Sequence, residues 1–187
     1  GLRGTPERTH KRVDVESGFP GLFVDYFASV LVAWHAANSE KLQFLNNLLE
    51  RLKLTSSVEP EAVDDANVEI MVGRGVKSPG DDTKALVNIA DVGVGVSQCL
   101  PILVALLTAQ PDHLVYIEEP ELHLHPKAQW ELGAIMAEAA NRGVRLVIET
   151  HSDIILRCVQ TLVARGDLAP ENVALHWFSL DEEGKTT

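Results

Sequence analysis

Residues 114–120 read Leu-Val-Tyr-Ile-Glu-Glu-Pro, and no other stretch limits the fold of this chain so tightly. Four consecutive apolar residues, Leu114 to Ile117, form the short continuous run expected of a strand buried on both faces, as in the parallel sheet of an α/β protein. The run stops at two acids and a proline, so Glu118 and Glu119 stand at the carboxyl end of a core strand. Ligands of open α/β sheets collect at that edge, because loops leave the strands there and helix N-termini point at the crevice. Side chains alternate along a strand, so the two carboxylates do different jobs. One can hold Mg²⁺ through its water shell while the other orients or deprotonates an attacking water, the division that phosphoryl transfer to water requires.

An apolar run ending in two acids also fits a strand with a solvated tip, but two further polar clusters stand beside it. Downstream, a second apolar run, Val144 to Glu149, ends in Thr150-His151-Ser152-Asp153. Between the runs, Pro126 opens a helix over 127–141 whose Leu132, Ile135, Met136 and Ala139 form an inward stripe, and Gly143 ends it. Residues 114–149 are therefore read as a βαβ unit with parallel strands and one shared active edge, which brings Glu119 and His151 together. Ser152 caps a helix over 153–165, with Ile155, Val159 and Leu162 facing the core. Val173 to Leu180 reads as a last strand.

Upstream, Asp91-Val-Gly-Val-Gly-Val-Ser-Gln98 reads as a glycine turn leading into a helix over Leu100 to Ala109, with Pro101 in its first turn. Ser97 near the helix start and the neighbouring amides would form an anion site. Residues 22–37 and 39–54 read as two helices, the second with Leu42, Leu45, Leu49 and Leu52 as its buried stripe. Strands are expected over 67–72 and 85–89, around a polar insert at 73–82, and residues 1–21 read as an entering loop.

Gly184-Lys185-Thr186 looks like the tail of a phosphate-binding loop. The position five before Gly184 is Ser179 rather than glycine, and Asp181, Glu182 and Glu183 would line the loop with negative charge. The sequence thus contains no Walker A motif.

The net charge of −11 is unevenly placed: the first twelve residues hold Arg3, Arg8, Lys11 and Arg12 against Glu7 alone. The acidic remainder offers no electrostatic footprint for a polyanion. Two cysteines, Cys99 and Cys158, lie in apolar surroundings and read as reduced thiols of a cytoplasmic protein. No apolar run approaches the ~18 residues of a membrane span.

The order strand-Glu-Glu-Pro-Glu-x-His-x-His-Pro, then strand-Thr-His-Ser-Asp, resembles the C-terminal half of an ABC-type ATPase domain. It is most similar to the bacterial AAA-like ATPases related to the OLD family and, more distantly, to SMC-like proteins. The likeness runs over residues 85–180 and, weakly, over the first ten. It implies that Glu118 is the Walker B acid holding Mg²⁺ through water, Glu119 the catalytic glutamate and His151 the switch histidine. Glu121 to Pro126 would be the D-loop, with His123 and His125 at a dimer contact. Gly93, Gly95, Ser97 and Gln98 resemble the signature motif that contacts nucleotide held by the other protomer, although the spacing departs from the LSGGQ of transporters. Glu at 118, where transporters carry Asp, fits the OLD-like branch.

The fold so implied is a P-loop NTPase-type α/β sheet flanked by helices, with a helical signature-carrying region over 22–110 and the Walker B, D-loop and switch region over 111–187. Leu2, Arg3, Pro6 and Arg8 resemble the end of the first half in related ATPases, so a Walker A lobe is expected to precede them. The implied cofactors are ATP and Mg²⁺, and the implied assembly is a homodimer closed around nucleotide, with DNA or a nuclease as further partner in the complete system. This chain alone is expected to be inactive. Two alternatives stand beside the ATPase: a truncated half serving dimerisation or regulation, and a metal-dependent hydrolase using His123, His125, His151, Asp153 and the two glutamates.

Overall fold

The computed structural model describes residues 7–13, 23–74 and 85–179. The expected helix pair forms as α1 (Phe23–Ala36) and α2 (Glu40–Arg51). Ser39 opens α2 by accepting a hydrogen bond from the Lys41 amide, a local alternative to the missing turn of helix. Leu45, Leu49 and Leu52 are buried, with Leu42 partly so, as the leucine spacing requires.

An antiparallel sheet follows. Strands β2 (Val58–Ala62), β3 (Asn67–Gly73) and β4 (Leu86–Asn88) join β1 (His10–Lys11), and β3 is the central strand. β2 pairs along one side of β3, while β1 and β4 share the other. The strand signals at 67–72 and 85–89 are fulfilled. β2 is not legible in advance, because Pro60 interrupts Val-Glu-Pro-Glu-Ala; the proline is tolerated since, among the described residues, β2 is an edge strand paired with β3 alone. Of the polar insert at 73–82, Gly73 closes β3 and Arg74 follows it, and positions 75–82 lie outside the described residues.

α3 (Val94–Thr108) starts six residues earlier than the expected Leu100. Gly93 is its N-cap, so Gly95, Ser97 and Gln98 are helical, and Pro101 lies in the interior rather than the first turn. Pro101 has no N–H, which leaves the Ser97 carbonyl without its usual i+4 donor. Burial overrides this cost. Val96 and every residue from Cys99 to Leu106 are buried, so the helix runs apolar on all sides through the middle of the protein, packed on α1 and α2.

The βαβ unit forms as read: β5 (Leu114–Glu118), α4 (Pro126–Asn141) and β6 (Arg145–Glu149), the strands parallel with Leu114 opposite Arg145 and Glu118 opposite Glu149. β5 departs from expectation in one respect. Val115 and Ile117 are buried, but Leu114 and Tyr116 are 59% and 56% exposed, so only one face is covered. The reason is the layering among the described residues: α3 and α4 pack under this two-stranded sheet from the side that Val115 and Ile117 occupy.

Ser152 caps α5 (Asp153–Arg165), accepting from the Ile155 amide, and Gly166 ends the helix in the left-handed conformation. Ile155 is buried as expected, while Val159 and Leu162 are half-buried. The predicted strand at 173–180 is not formed over 173–179, and Leu180 lies outside the described residues. Leu175, Trp177 and Phe178 are exposed there, since no strand among the described residues pairs with this segment.

One contiguous core links the two sheets and α1 to α5. Both cysteines are buried free thiols. No helix among the described residues is long and apolar enough to cross a membrane.

Candidate active site

At the carboxyl edge of the parallel pair, Glu118 ends β5 directly beside Glu149, which ends β6. Tyr116, two residues earlier on the same face of β5, reaches both acids: its hydroxyl lies 3.1 Å from Glu118 Oε1 and 2.9 Å from Glu149 Oε2. A phenol has one proton to donate, so the two carboxylates share it. The hydrogen bond to Glu149, then desolvation and the bond to Glu118, push the Tyr116 hydroxyl up to about 12. It therefore remains a donor across the neutral range. Side-by-side carboxylates are hard oxygen ligands, the donor set that Mg²⁺ takes with the rest of its shell as water.

Glu119 leaves the strand with φ +41°, in the region that residues with a side chain rarely adopt. Such a conformation costs roughly 1–3 kcal/mol and persists only where the surroundings hold it. Here the Glu119 amide donates to the Glu149 carbonyl at 2.8 Å, extending the parallel ladder by one residue. The left-handed turn, rather than simple strand alternation, is what separates Glu119 from Glu118. It sets Glu119 Oε1 3.9 Å from His151 Nε2, close but beyond hydrogen-bond reach, with both side chains substantially exposed. Catalytic pairs are commonly this loose before substrate is bound.

The turn after β5 is tied to the turn after β6. Glu121 accepts from the Thr150 hydroxyl through Oε2 at 2.8 Å and from the His151 amide through Oε1 at 2.7 Å. Thr150 Oγ1 in turn accepts from the Ser152 amide at 3.0 Å. The buried Ser152 hydroxyl, while capping α5, donates to Gln129 Oε1 at 2.7 Å, and Gln129 Nε2 donates to the Leu124 carbonyl at 3.0 Å. Glu121 and Thr150 lie in motifs the sequence marked, but their contact with each other and the part of Gln129 were not legible, because these bonds join segments more than twenty residues apart.

A second group of expected residues lines a separate groove of about 660 Å³. Gly93, Val94, Gly95 and Val96 at the start of α3 form one wall, and His123 and His125 another. Lys53, Leu54, Thr55, Gly73, Arg74, Asp91 and Val92 complete it. Asp91 is paired with Arg8, whereas among the described residues Lys53 and Arg74 have no carboxylate partner. Gly93 caps α3 without a side chain, and a Cβ there would meet nothing within 4 Å, so the helix start opens into the groove. Ser97 and Gln98 do not line it. The expectation that Ser97 sits at the helix start is corrected: it lies one turn in, and its hydroxyl donates to the Val94 carbonyl at 2.8 Å. Gln98 Oε1 is buried with no hydrogen-bond partner among the described residues.

The structure therefore brings Glu119 to His151 at one edge, and Gly93 and Gly95 to His123 and His125 at another. The turn over Glu121 to His125 borders both. His125 also caps α4, its Nδ1 accepting from the Lys127 amide at 3.3 Å. The metal-hydrolase arrangement is not formed: among the described residues no three His, Cys, Asp or Glu side chains converge as a metal site.

A family model described as "AAA domain, putative AbiEii toxin, Type IV TA system" matches residues 36–157. No curated protein matches the chain. Among solved structures, it is similar to one described under the structural biochemistry of ATP-driven dimerization and DNA-stimulated activation of SMC ATPases, with a TM-score of 0.55 and 12% identity over 83% of this chain and 85% of that one. It is also similar to an Smc head bound to the C-terminal winged-helix domain of ScpA, with a TM-score of 0.53, 11% identity and coverage of 73% and 43%. A third is the Pyrococcus furiosus Smc head with an extended coiled coil bound to the C-terminal domain of ScpA, with a TM-score of 0.52, 10% identity and coverage of 68% and 32%. The chain spans less than half the length of the latter two, and at these identities the likeness speaks for the fold alone.

Proposed function

This chain belongs to the AAA-domain family whose match covers residues 36–157, and from that premise we propose that it carries the hydrolytic edge of an ABC-type ATPase head of the OLD-like kind. The observation that carries the reading is the meeting of Glu119 and His151 at the carboxyl ends of two parallel strands, beside the Glu118 and Glu149 carboxylates. In this reading Glu118 holds the cation through its water shell, with Tyr116 fixing the direction of its carboxylate. Glu119 orients the attacking water and takes its proton, and His151 donates toward the terminal phosphate. When bound, Mg-ATP supplies the phosphoanhydride to be broken and a cation that offsets its charge. The phosphate-binding loop that the sequence lacks would come from another segment, a Walker A lobe outside these residues.

The groove is the proposed docking place for nucleotide held by a second copy. Gly93 and Gly95 at the α3 N-terminus line it, and Lys53 and Arg74 add two positive charges on an acidic protein, the setting that favours polyphosphate. Ser97 and Gln98 stand one turn further along, and Ser97 would contact phosphate only by releasing the Val94 carbonyl. His123 and His125 border the same groove and belong to the proposed dimer contact. The ATP-driven dimerization described for the SMC ATPases supports this homodimeric arrangement. A DNA or nuclease partner would engage other parts of the complete system, since the net charge of −11 offers no footprint for a nucleic-acid backbone. The buried reduced thiols fit a cytoplasmic setting.

The test compares two substitutions in the complete protein. Glu118→Gln is expected to weaken both Mg²⁺ dependence and nucleotide binding. Glu119→Gln is expected to keep binding and lower turnover by about 100-fold or more. Equal loss of nucleotide affinity in the two variants, measured by calorimetry, would sink the assignment of roles.

A further inference from the structure

We propose that Glu121 is a positioning residue whose carboxylate sets His151 against Glu119. The inference rests on the ATPase reading above and concerns a side chain that is neither of its two strand-end acids. Both Glu121 oxygens are engaged: Oε1 accepts from the His151 amide at 2.7 Å and Oε2 from the Thr150 hydroxyl at 2.8 Å. A carboxylate taking two donors from consecutive residues holds their backbone as a clamp, because both bonds must be strained for the turn to rotate. The clamped residue is the one whose ring must meet Glu119, now 3.9 Å away. Among the described residues no hydrogen bond holds that ring, which is 81% exposed. Its direction is set through the main chain.

Each Glu121 oxygen accepts one of these two bonds and keeps a second lone pair, so a positioning role is told apart from a chemical one by the glutamine variant below. The brace is extended behind it by Thr150 Oγ1, which accepts from the Ser152 amide, and by Ser152, whose hydroxyl anchors on Gln129 of α4. The turn after β6 is therefore fastened at three successive residues, all to groups from the turn after β5 or the helix that follows it. A brace of this kind acts on turnover by holding two reacting groups in register, and an error of about 1 Å in such placement costs on the order of 100-fold.

Charge is not what the brace needs, and this makes the inference testable. In Glu121→Gln the carboxamide oxygen still accepts from the His151 amide, and its NH₂ donates to Thr150 Oγ1, which has a second lone pair to offer. The glutamine variant is expected to keep the brace, and Glu121→Ala to lose it. Two measurements on the complete protein decide the matter: hydrogen exchange of the His151 amide without nucleotide, and ATP turnover with nucleotide affinity measured alongside. The expected result is a protected amide and turnover within a few-fold of wild type for Gln. For Ala, exchange should be at least about ten times faster and turnover about 100-fold lower, with unchanged nucleotide affinity. Full turnover in Glu121→Ala would overturn the inference. So would a glutamine variant with a protected amide and turnover as low as that of Ala, since that pattern marks an acid, base or metal group. A wild-type protein that leaves ATP intact would overturn the hydrolase reading and the positioning role with it, and a protected His151 amide would show that the brace itself is not what failed.

Discussion

His10 is a single residue whose charge the fold controls directly. It lies on β1 with its ring edge-on to Phe27, centroids 4.9 Å apart, and its buried Nε2 has no hydrogen-bond partner among the described residues. Burial pushes its pKa below the ordinary histidine value, against a smaller opposite pull from Glu7. The folded protein therefore resists a proton that the unfolded chain accepts, so stability is full above about pH 6.5 and is lost as pH falls from there through the lowered folded value. Replacing His10 by Phe should flatten that decline: thermal midpoints measured between pH 7 and 5 should drop less steeply than in wild type, and an unchanged slope would count against the assignment. At the same scale, the positions of Glu118, Glu119 and His151 at the ends of β5 and β6 were legible because a short apolar run followed by polar residues fixes where a strand stops. The brace by Glu121 was not legible, because its acceptors meet donors from a turn about thirty residues away, a distance that only the folded βαβ unit closes.

Among the elements, the α4–α5 contact depends on Gly133. A Cβ built there would stand 3.1 Å from both Cβ and Sγ of Cys158, whose thiol donates to the Trp130 carbonyl at 3.3 Å. Alanine would gain about 1 kcal/mol in helix propensity, but the obstructing Cβ belongs to a facing helix and cannot swing away. Overpacking of this sort typically costs about 1–3 kcal/mol, so Gly133→Ala should be neutral to about 2 kcal/mol less stable in urea denaturation; a clear gain in stability would contradict the contact. The helices and the βαβ unit were readable from spacing and caps, with Ser152 and Gly143 marking their ends correctly. α3 was read too short, because glycines and Pro101 argue against helix locally while burial of Val96 and of Cys99 to Leu106 favours it more strongly.

For the whole molecule, the absence of a Walker A sequence predicts that these 187 residues alone bind ATP weakly. Phosphate affinity in such folds comes mainly from backbone amides and a lysine at a helix N-terminus, so submillimolar affinity in calorimetry would be the contrary result. The groove gives a sharper test of pairing. Gly93 has ordinary φ of −60° and open space where a Cβ would go, and aspartate is a better helix cap than glycine. Gly93→Asp should therefore raise stability by a few tenths of a kcal/mol while its charge repels a partner's phosphates. In the complete protein carrying Glu119→Gln, ATP-dependent dimer should disappear on sizing chromatography; an undiminished dimer would remove the groove from the proposed interface. The sequence by itself determined the parallel βαβ unit, the position of the two strand-end acids and the ends of α4 and α5, since these follow from local periodicity and capping. Only the tertiary structure decided that β5 is covered on one face, that α3 absorbs the glycine turn, and that residues 173–179 form no strand, because each depends on which surface lies opposite. The same holds for the site: the motif supplies Glu119 and His151, and the contact between two turns fixes how they face each other.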